Sequence, residues 1–182
     1  MQINKIELRN LEIEDYIELK TSMLQAYEEG VDDPYWKKEE IRRLLKIFPD
    51  GYIVIVVDDV VVGAALSLIV DENLALSNHK YNDIITDSKF KAHNPDGDVL
   101  YGIDVFIHPN YRGLRLGRRL YDGRKELCEQ LNLKSIIFAG RIPNFHNFSK
   151  ELYQTFIKGI FRRRSRFERL CRFVRMEQHF VR

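Results

Sequence analysis

The sequence predicts a mixed α/β domain, and three observations predict it. Two β-branched runs, 52–57 and 60–70, are joined by the polar pair Asp58-Asp59, as in an antiparallel hairpin. Apolar residues recur at helical spacing in several separate stretches. A further apolar run, 99–107, passes through a turn rich in Gly and Arg directly into a helical pattern. The chain has 182 residues, enough for one domain with a real core. Hydrophobic residues make up 45% and charged residues 31%, the balance of a chain that buries a core and not of a disordered one.

Taken in order, Ile6 and Leu8 alternate with Lys5, Glu7 and Arg9 in an opening strand. A helix is expected over 14–28, with Ile17, Leu24 and Tyr27 on its apolar face and Gly30 stopping it. Asp33-Pro34 starts a second helix bearing Trp36, Ile41, Leu44, Leu45 and Phe48, ended by Pro49-Asp50-Gly51. The hairpin follows. Residues 71–98 have little periodicity and read as a long loop of the kind that covers a site; His79, His93 and its carboxylates either shape substrate binding there or, the stronger reading, are solvated loop residues. Next come a strand over 99–107, a turn over 109–116, a helix over 117–131, a strand over 135–139 and a helix over 148–157. Cys128 falls on the apolar side of its helix, and no Cys/His spacing suggests a metal site, so none is expected. The longest apolar run, 60–70, is too short to span a bilayer, the N-terminus is no signal peptide, and a cytoplasmic protein without a transmembrane segment is expected.

The net charge of +2 conceals an asymmetry. Residues 161–182 hold eight arginines against Glu168 and Glu177, so the tail is strongly basic and the body mildly acidic. Phe167, Leu170, Cys171 and Val174 recur at helical spacing, so the tail is expected to be an amphipathic helix docked or solvated at the end of the domain. Nucleic-acid binding through it is not expected.

The segment that carries chemistry is 105–119. The first amides of a helix lack partners within it, and with the helix dipole they form a site for an anion, phosphate above all. Gly113 and Gly117 let backbone approach a ligand, and Arg112, Arg115, Arg118 and Arg119 add positive charge. The alternative is an ordinary basic, solvated helix start. The glycine patterns of nucleotide P-loops and of dinucleotide turns are both absent.

Arg112 to Gly117 resembles the acetyl-CoA signature of the GNAT acetyltransferase superfamily, Gln/Arg-x-x-Gly-x-Gly/Ala, with Arg112 first, Gly117 last and Arg115 in place of the middle glycine. Tyr101-Gly102-Ile103-Asp104, the turn itself, Arg124-Lys125-Glu126-Leu127-Cys128-Glu129 and Gly140-Arg141-Ile142-Pro143 are most similar to GNAT domains fused ahead of a carbon-nitrogen hydrolase domain, where Arg at that position is usual. The likeness spans residues 1–160 and leaves 161–182 as the tail; no hydrolase domain is expected within these residues.

The resemblance implies a GNAT fold, a mixed sheet with two splayed parallel central strands, 99–107 and 135–139. It leaves open a sheet without its last strands, because the tail does not read as strands. It implies acetyl-CoA as cosubstrate, with the backbone of Val105, Phe106 and Ile107 pairing with the pantetheine arm. Amides of Arg112, Gly113, Leu114, Arg115, Leu116 and Gly117 would hold the pyrophosphate. A small-molecule or peptide amine would attack the thioester directly. Asp104, beside the expected acetyl position, is the first candidate for the base; its other reading is a polar residue at a strand bulge. His108 is a weaker candidate and reads as a surface residue. Tyr153 is the candidate acid. A sheet edge left open by missing strands would be covered in a homodimer. The related fused proteins continue with Asp-Pro-Val-Leu-Ser, which Arg164-Ser165-Arg166-Phe167-Glu168 can encode one base out of frame, so a frameshifted or truncated tail is a further expectation. The competing function is a non-catalytic acyl-CoA-binding or regulatory module left from a two-domain GNAT–hydrolase parent.

Overall fold

The computed structural model describes residues 3–27 and 35–138, together with the backbone of 171–173. A six-stranded sheet runs in sequence order: β1 (Ile6–Asn10), β2 (Tyr52–Val57), β3 (Val60–Val70), β4 (Val99–Ile107), β5 (Ser135–Phe138) and β6 (Cys171–Phe173). The first three pairings are antiparallel, and β4–β5 and β5–β6 are parallel. Five helices accompany it among the described residues: α1 (Tyr16–Ala26), α2 (Lys38–Ile47), α3 (Glu72–Leu76), α4 (Tyr81–Ile85) and α5 (Leu116–Gln130).

β2 and β3 are apolar on both faces because both faces are covered. Val54, Val56, Ala64, Leu66, Leu68 and Tyr101 meet Leu19, Met23, Ile41, Leu44 and Ile84 on the side of α1, α2 and α4. Ile53, Ile55, Val57, Val62 and Ala65 meet Leu116 and Leu120 of α5 on the other. Successive strand residues point to opposite faces, so a continuous apolar run fits a strand between two helical layers.

Several expectations are corrected. The buried face of α1 is Leu19, Ser22 and Met23, whereas Ile17 is 75% exposed and Leu24 lies largely outward. The cause is a bulge in the hairpin. Ile55 pairs with Gly63 and Val56 with Val61, which leaves Val62 as the extra residue. The Val61 N–H donates to the Glu18 carboxylate and its carbonyl accepts from the Ser22 hydroxyl, both at 2.7 Å. Those two polar bonds set the rotation of α1. The excursion 71–98 is no solvated loop but carries α3 and α4. His79 is buried and bonded to the Tyr101 hydroxyl at 2.9 Å. His93 accepts from the Ile69 N–H and stacks on Phe48. In the tail, 171–173 is a strand where a helix was expected. Its backbone pairs in parallel with Ile136–Phe138 at the edge that β5 offers. The sheet thus gains a strand beyond β5. The expected helix over 148–157 and the rest of the tail lie outside the described residues, as does the second helix's expected start at Asp33-Pro34. The described helix begins at Lys38, where the Glu40 carboxylate accepts the Lys37 N–H at 2.7 Å. No helix among the described residues is long and apolar enough to cross a membrane.

Candidate acyl-CoA site

β4 leads into the site. On its β5 side it is paired over Val99–Gly102 with Ser135–Phe138. On its β3 side a second bulge falls at the same level: Leu66 pairs with Asp104 and Ser67 with Gly102, which leaves Ile103 as the extra residue. Ile103 packs into the same core as Tyr101 and Phe106, and Asp104 turns to that side too. Two consecutive side chains therefore share one face, as a bulge requires. Without it Asp104 would point at α5. With it, Oδ2 accepts the Trp36 indole N–H at 2.9 Å and Oδ1 accepts the Tyr27 hydroxyl. Tyr81 donates to the Ile103 carbonyl at 3.0 Å. Burial pushes the Asp104 carboxyl above the usual carboxylate range, while the bonds from Tyr27 and Trp36 pull the other way. Asp104 thus stands at a strand bulge, the second of its two sequence readings.

Beyond β4, His108 opens a 3-10 turn over Pro109–Tyr111, and its Nδ1 accepts the Asn110 N–H at 3.2 Å. That is a capping role. Arg112 departs from expectation: its amide closes this turn on the Pro109 carbonyl at 3.1 Å, and its guanidinium reaches the Ala26 carbonyl at the end of α1, also at 3.1 Å. That N–H already has an acceptor within the turn. The sequence pattern could not reveal this, because a signature position does not say which amide a preceding turn consumes.

The next residues differ. Gly113 has φ +86°, and Arg115, the residue before α5, is left-handed at φ 58°, ψ 21°. The first bonded amides of α5 are those of Arg118 and Arg119, which share the Arg115 carbonyl at 3.1 and 3.4 Å. The amides of Gly113, Leu114, Arg115, Leu116 and Gly117 find no acceptor among the described residues. A Cβ placed on Gly113 or Gly117 would meet nothing within 4 Å. Leu116 is the anchor, its side chain buried in the cluster against which Val105 and Ile107 of β4 also pack. Open amides at the N-terminus of a 15-residue helix, with Arg118 and Arg119 exposed beside them, have the chemistry of a phosphate cradle. Val105 and Ile107 are half-buried and Phe106 is buried against Tyr27. Tyr153 lies outside the described residues. Among the described residues no group of three His, Cys, Asp or Glu could hold a metal.

Sequence comparison bears on this site. The acetyltransferase (GNAT) family matches residues 7–156, and the chain belongs to that family. It is 37% identical over 151 residues to the probable hydrolase YhcX of Bacillus subtilis, covering 81% of this chain and 28% of that protein. It is 26% identical over 148 residues to YkwB, an uncharacterized N-acetyltransferase of the same organism, covering 78% of this chain and 66% of that one. The chain thus spans about a quarter of the first relative and just under two thirds of the second, and the first match fits a GNAT domain joined to a hydrolase. Among solved structures, the loading GNATL domain of CurA from Lyngbya majuscula superposes with a TM-score of 0.67 at 24% identity, covering 80% of this chain and 70% of that one. The GNAT-like decarboxylase GphF, in complex with isobutyryl-CoA, gives 0.66 at 16% identity, covering 84% and 76%. These two likenesses concern the fold.

Proposed function

We propose that this chain transfers an acetyl group from acetyl-CoA to the amine of a small molecule or peptide, in the cytoplasm. The observation that carries the reading is the run of five open amides from Gly113 to Gly117, set at the end of the strand that bears Asp104. In this account those amides and the start of α5 hold the pyrophosphate, and the Val105–Ile107 backbone guides the pantetheine arm. The thioester then lies beside the β4 bulge. The amine nitrogen attacks the thioester carbonyl carbon, a C–N bond forms and the C–S bond breaks. The proton lost by the amine passes to the Asp104 carboxylate, directly or through water, and Tyr153 supplies a proton to the leaving thiolate. A carboxyl group raised by burial suits a base working near neutral pH. The titratable groups facing it are Tyr27 and Tyr81 on one side and Arg124 on the other.

The test is thiol release from acetyl-CoA, measured against a panel of primary amines and amino-terminal peptides, with longer acyl-CoAs in parallel. Amine-dependent release that is lost in Asp104→Asn supports the reading. Folded protein that binds acetyl-CoA but releases no thiol with any amine favours the second reading, a non-catalytic acyl-CoA-binding module. Its support is that the chain spans only 28% of a probable hydrolase relative. A homodimer remains part of the proposal, tested by sedimentation.

A further inference from the structure

We infer that Arg124 is a positioning residue for Asp104: from beneath the sheet it pins the β4 bulge that turns the carboxylate toward Tyr27 and Trp36. What Asp104 is positioned to do rests on the acyl-transfer reading; the placement itself does not. Arg124 occupies a core position of α5, in line with Leu120, Leu127 and Cys128, where an apolar residue is the ordinary choice. It is 1% exposed. Among the described residues no carboxylate lies within ion-pair distance of it. A buried guanidinium without a close counter-ion is costly, and it persists where it satisfies polar groups that would otherwise be orphaned. Its partners are such groups. Nη2 donates to the Leu66 carbonyl at 2.8 Å and to the Asp104 carbonyl, the pair of residues at the bulge. Nε donates to the Ser67 hydroxyl at 3.0 Å. The planar fork thus bridges β3 and β4 where the bulge has broken their ladder.

Gly102 completes the device. A Cβ there would stand 3.1 Å from Nη1 and 3.1 Å from the Phe138 Cβ, so the missing side chain is the space the guanidinium fills, at the last paired position between β4 and β5. The groups that face Asp104 are Tyr27 from α1, the Trp36 indole ahead of α2, the Tyr81 hydroxyl from α4 on the adjoining carbonyl, and Arg124 from α5. Leu66 and Ser67 of β3 add no charge. Arg124 is the one cation in this set, and its field favours the ionised carboxylate.

Trp36 is the only tryptophan in the chain and donates to Asp104, so its indole N–H resonance reports the carboxylate without any need for turnover. The wild type is expected to show one titration step in that resonance, and Asp104→Asn to abolish it. In Arg124→Gln the midpoint should rise by about one pH unit. Arg124→Lys keeps the charge and loses the fork, so it should return part of the midpoint but leave the indole resonance displaced. A merely structural role would lower thermal stability and leave the resonance and its midpoint where they were, and that outcome in a folded Arg124→Gln protein overturns the inference. Should that variant fail to fold, Gly102→Ala keeps Arg124 and displaces it by a few tenths of an ångström, and the same resonance must shift or the inference falls. With an acceptor in hand, Arg124→Lys should lose at least about tenfold in kcat while its Kd for acetyl-CoA stays within about threefold. Equal kcat would overturn the inference. A wild type that binds acetyl-CoA and acetylates nothing would sink the acyl-transfer reading and leave the titration result standing.

Discussion

Replacing Gly117 with alanine should separate stability from binding. Gly117 sits in the first turn of α5 with ordinary helical backbone, and a Cβ there would touch nothing within 4 Å. The substitution removes backbone freedom from the unfolded chain at no steric cost in the folded one, a gain of about 0.5 kcal/mol near a helix end. For a chain of this size that raises Tm by about 1–2 °C. The acetyl-CoA signature admits alanine at this position, so the methyl group should leave the amide reachable and change Kd for acetyl-CoA by no more than about threefold. Gly117→Asp instead sets a like charge beside the pyrophosphate; losing one hydrogen bond to a charged acceptor costs about 1.5–3 kcal/mol, roughly 10- to 100-fold in Kd. Gly113 is the control. Its surroundings are equally open, but at φ +86° an alanine is strained by about 1–2 kcal/mol, so Gly113→Ala should lower Tm by about 2–8 °C. Scanning calorimetry and isothermal titration on these variants give both numbers. A folded Gly117→Asp protein with unchanged affinity would refute the role given to these amides. A Gly117→Ala protein less stable than the parent would refute the local geometry.

Asp104→Asn should be more stable than the parent near pH 8, because burial raises the Asp104 pKa and its contribution to stability is lost as pH rises through that folded value. The advantage should vanish below pH ~4, where the parent's carboxyl is protonated in both states; the same variant should lose at least about 100-fold in kcat if Asp104 is the base. His93 is depressed by burial, so its contribution is present above its unfolded pKa and lost as pH falls through the lower folded one. Denaturant midpoints between pH 7 and 5 should therefore fall less steeply in His93→Asn, which keeps an acceptor for the Ile69 N–H. The Tyr52 hydroxyl is buried with no partner among the described residues, and Tyr52→Phe should stabilise the protein by about 1 kcal/mol in urea titrations.

The strands, the hairpin and α5 were legible because apolar period and turn chemistry are local signals. The turn proposed to hold phosphate was legible as a turn from its glycines and from the strand-to-helix junction. Features that depend on pairing register were not. The two bulges, at Val62 in β3 and at Ile103 in β4, leave no composition signature, yet one lies where α1 docks with Ile17 facing solvent, and the other turns Asp104 to its partners. Tyr27 and Trp36 were read as helix-face residues; only tertiary contact brings them to one carboxylate. Arg124 lay within the quoted family-like segment, and a charge in line with Leu120 and Leu127 was the available clue. His79 and His93 looked like loop residues because two five-residue helices give too short a pattern to read.

The most direct test is a calorimetric titration of the purified chain with acetyl-CoA beside the Gly117→Asp variant, which sets a carboxylate among the open amides at the start of α5. The account predicts saturable one-site binding by the parent, and loss of that binding in a variant that remains folded. A folded parent that does not bind acetyl-CoA, or a variant that binds as the parent does, would contradict it.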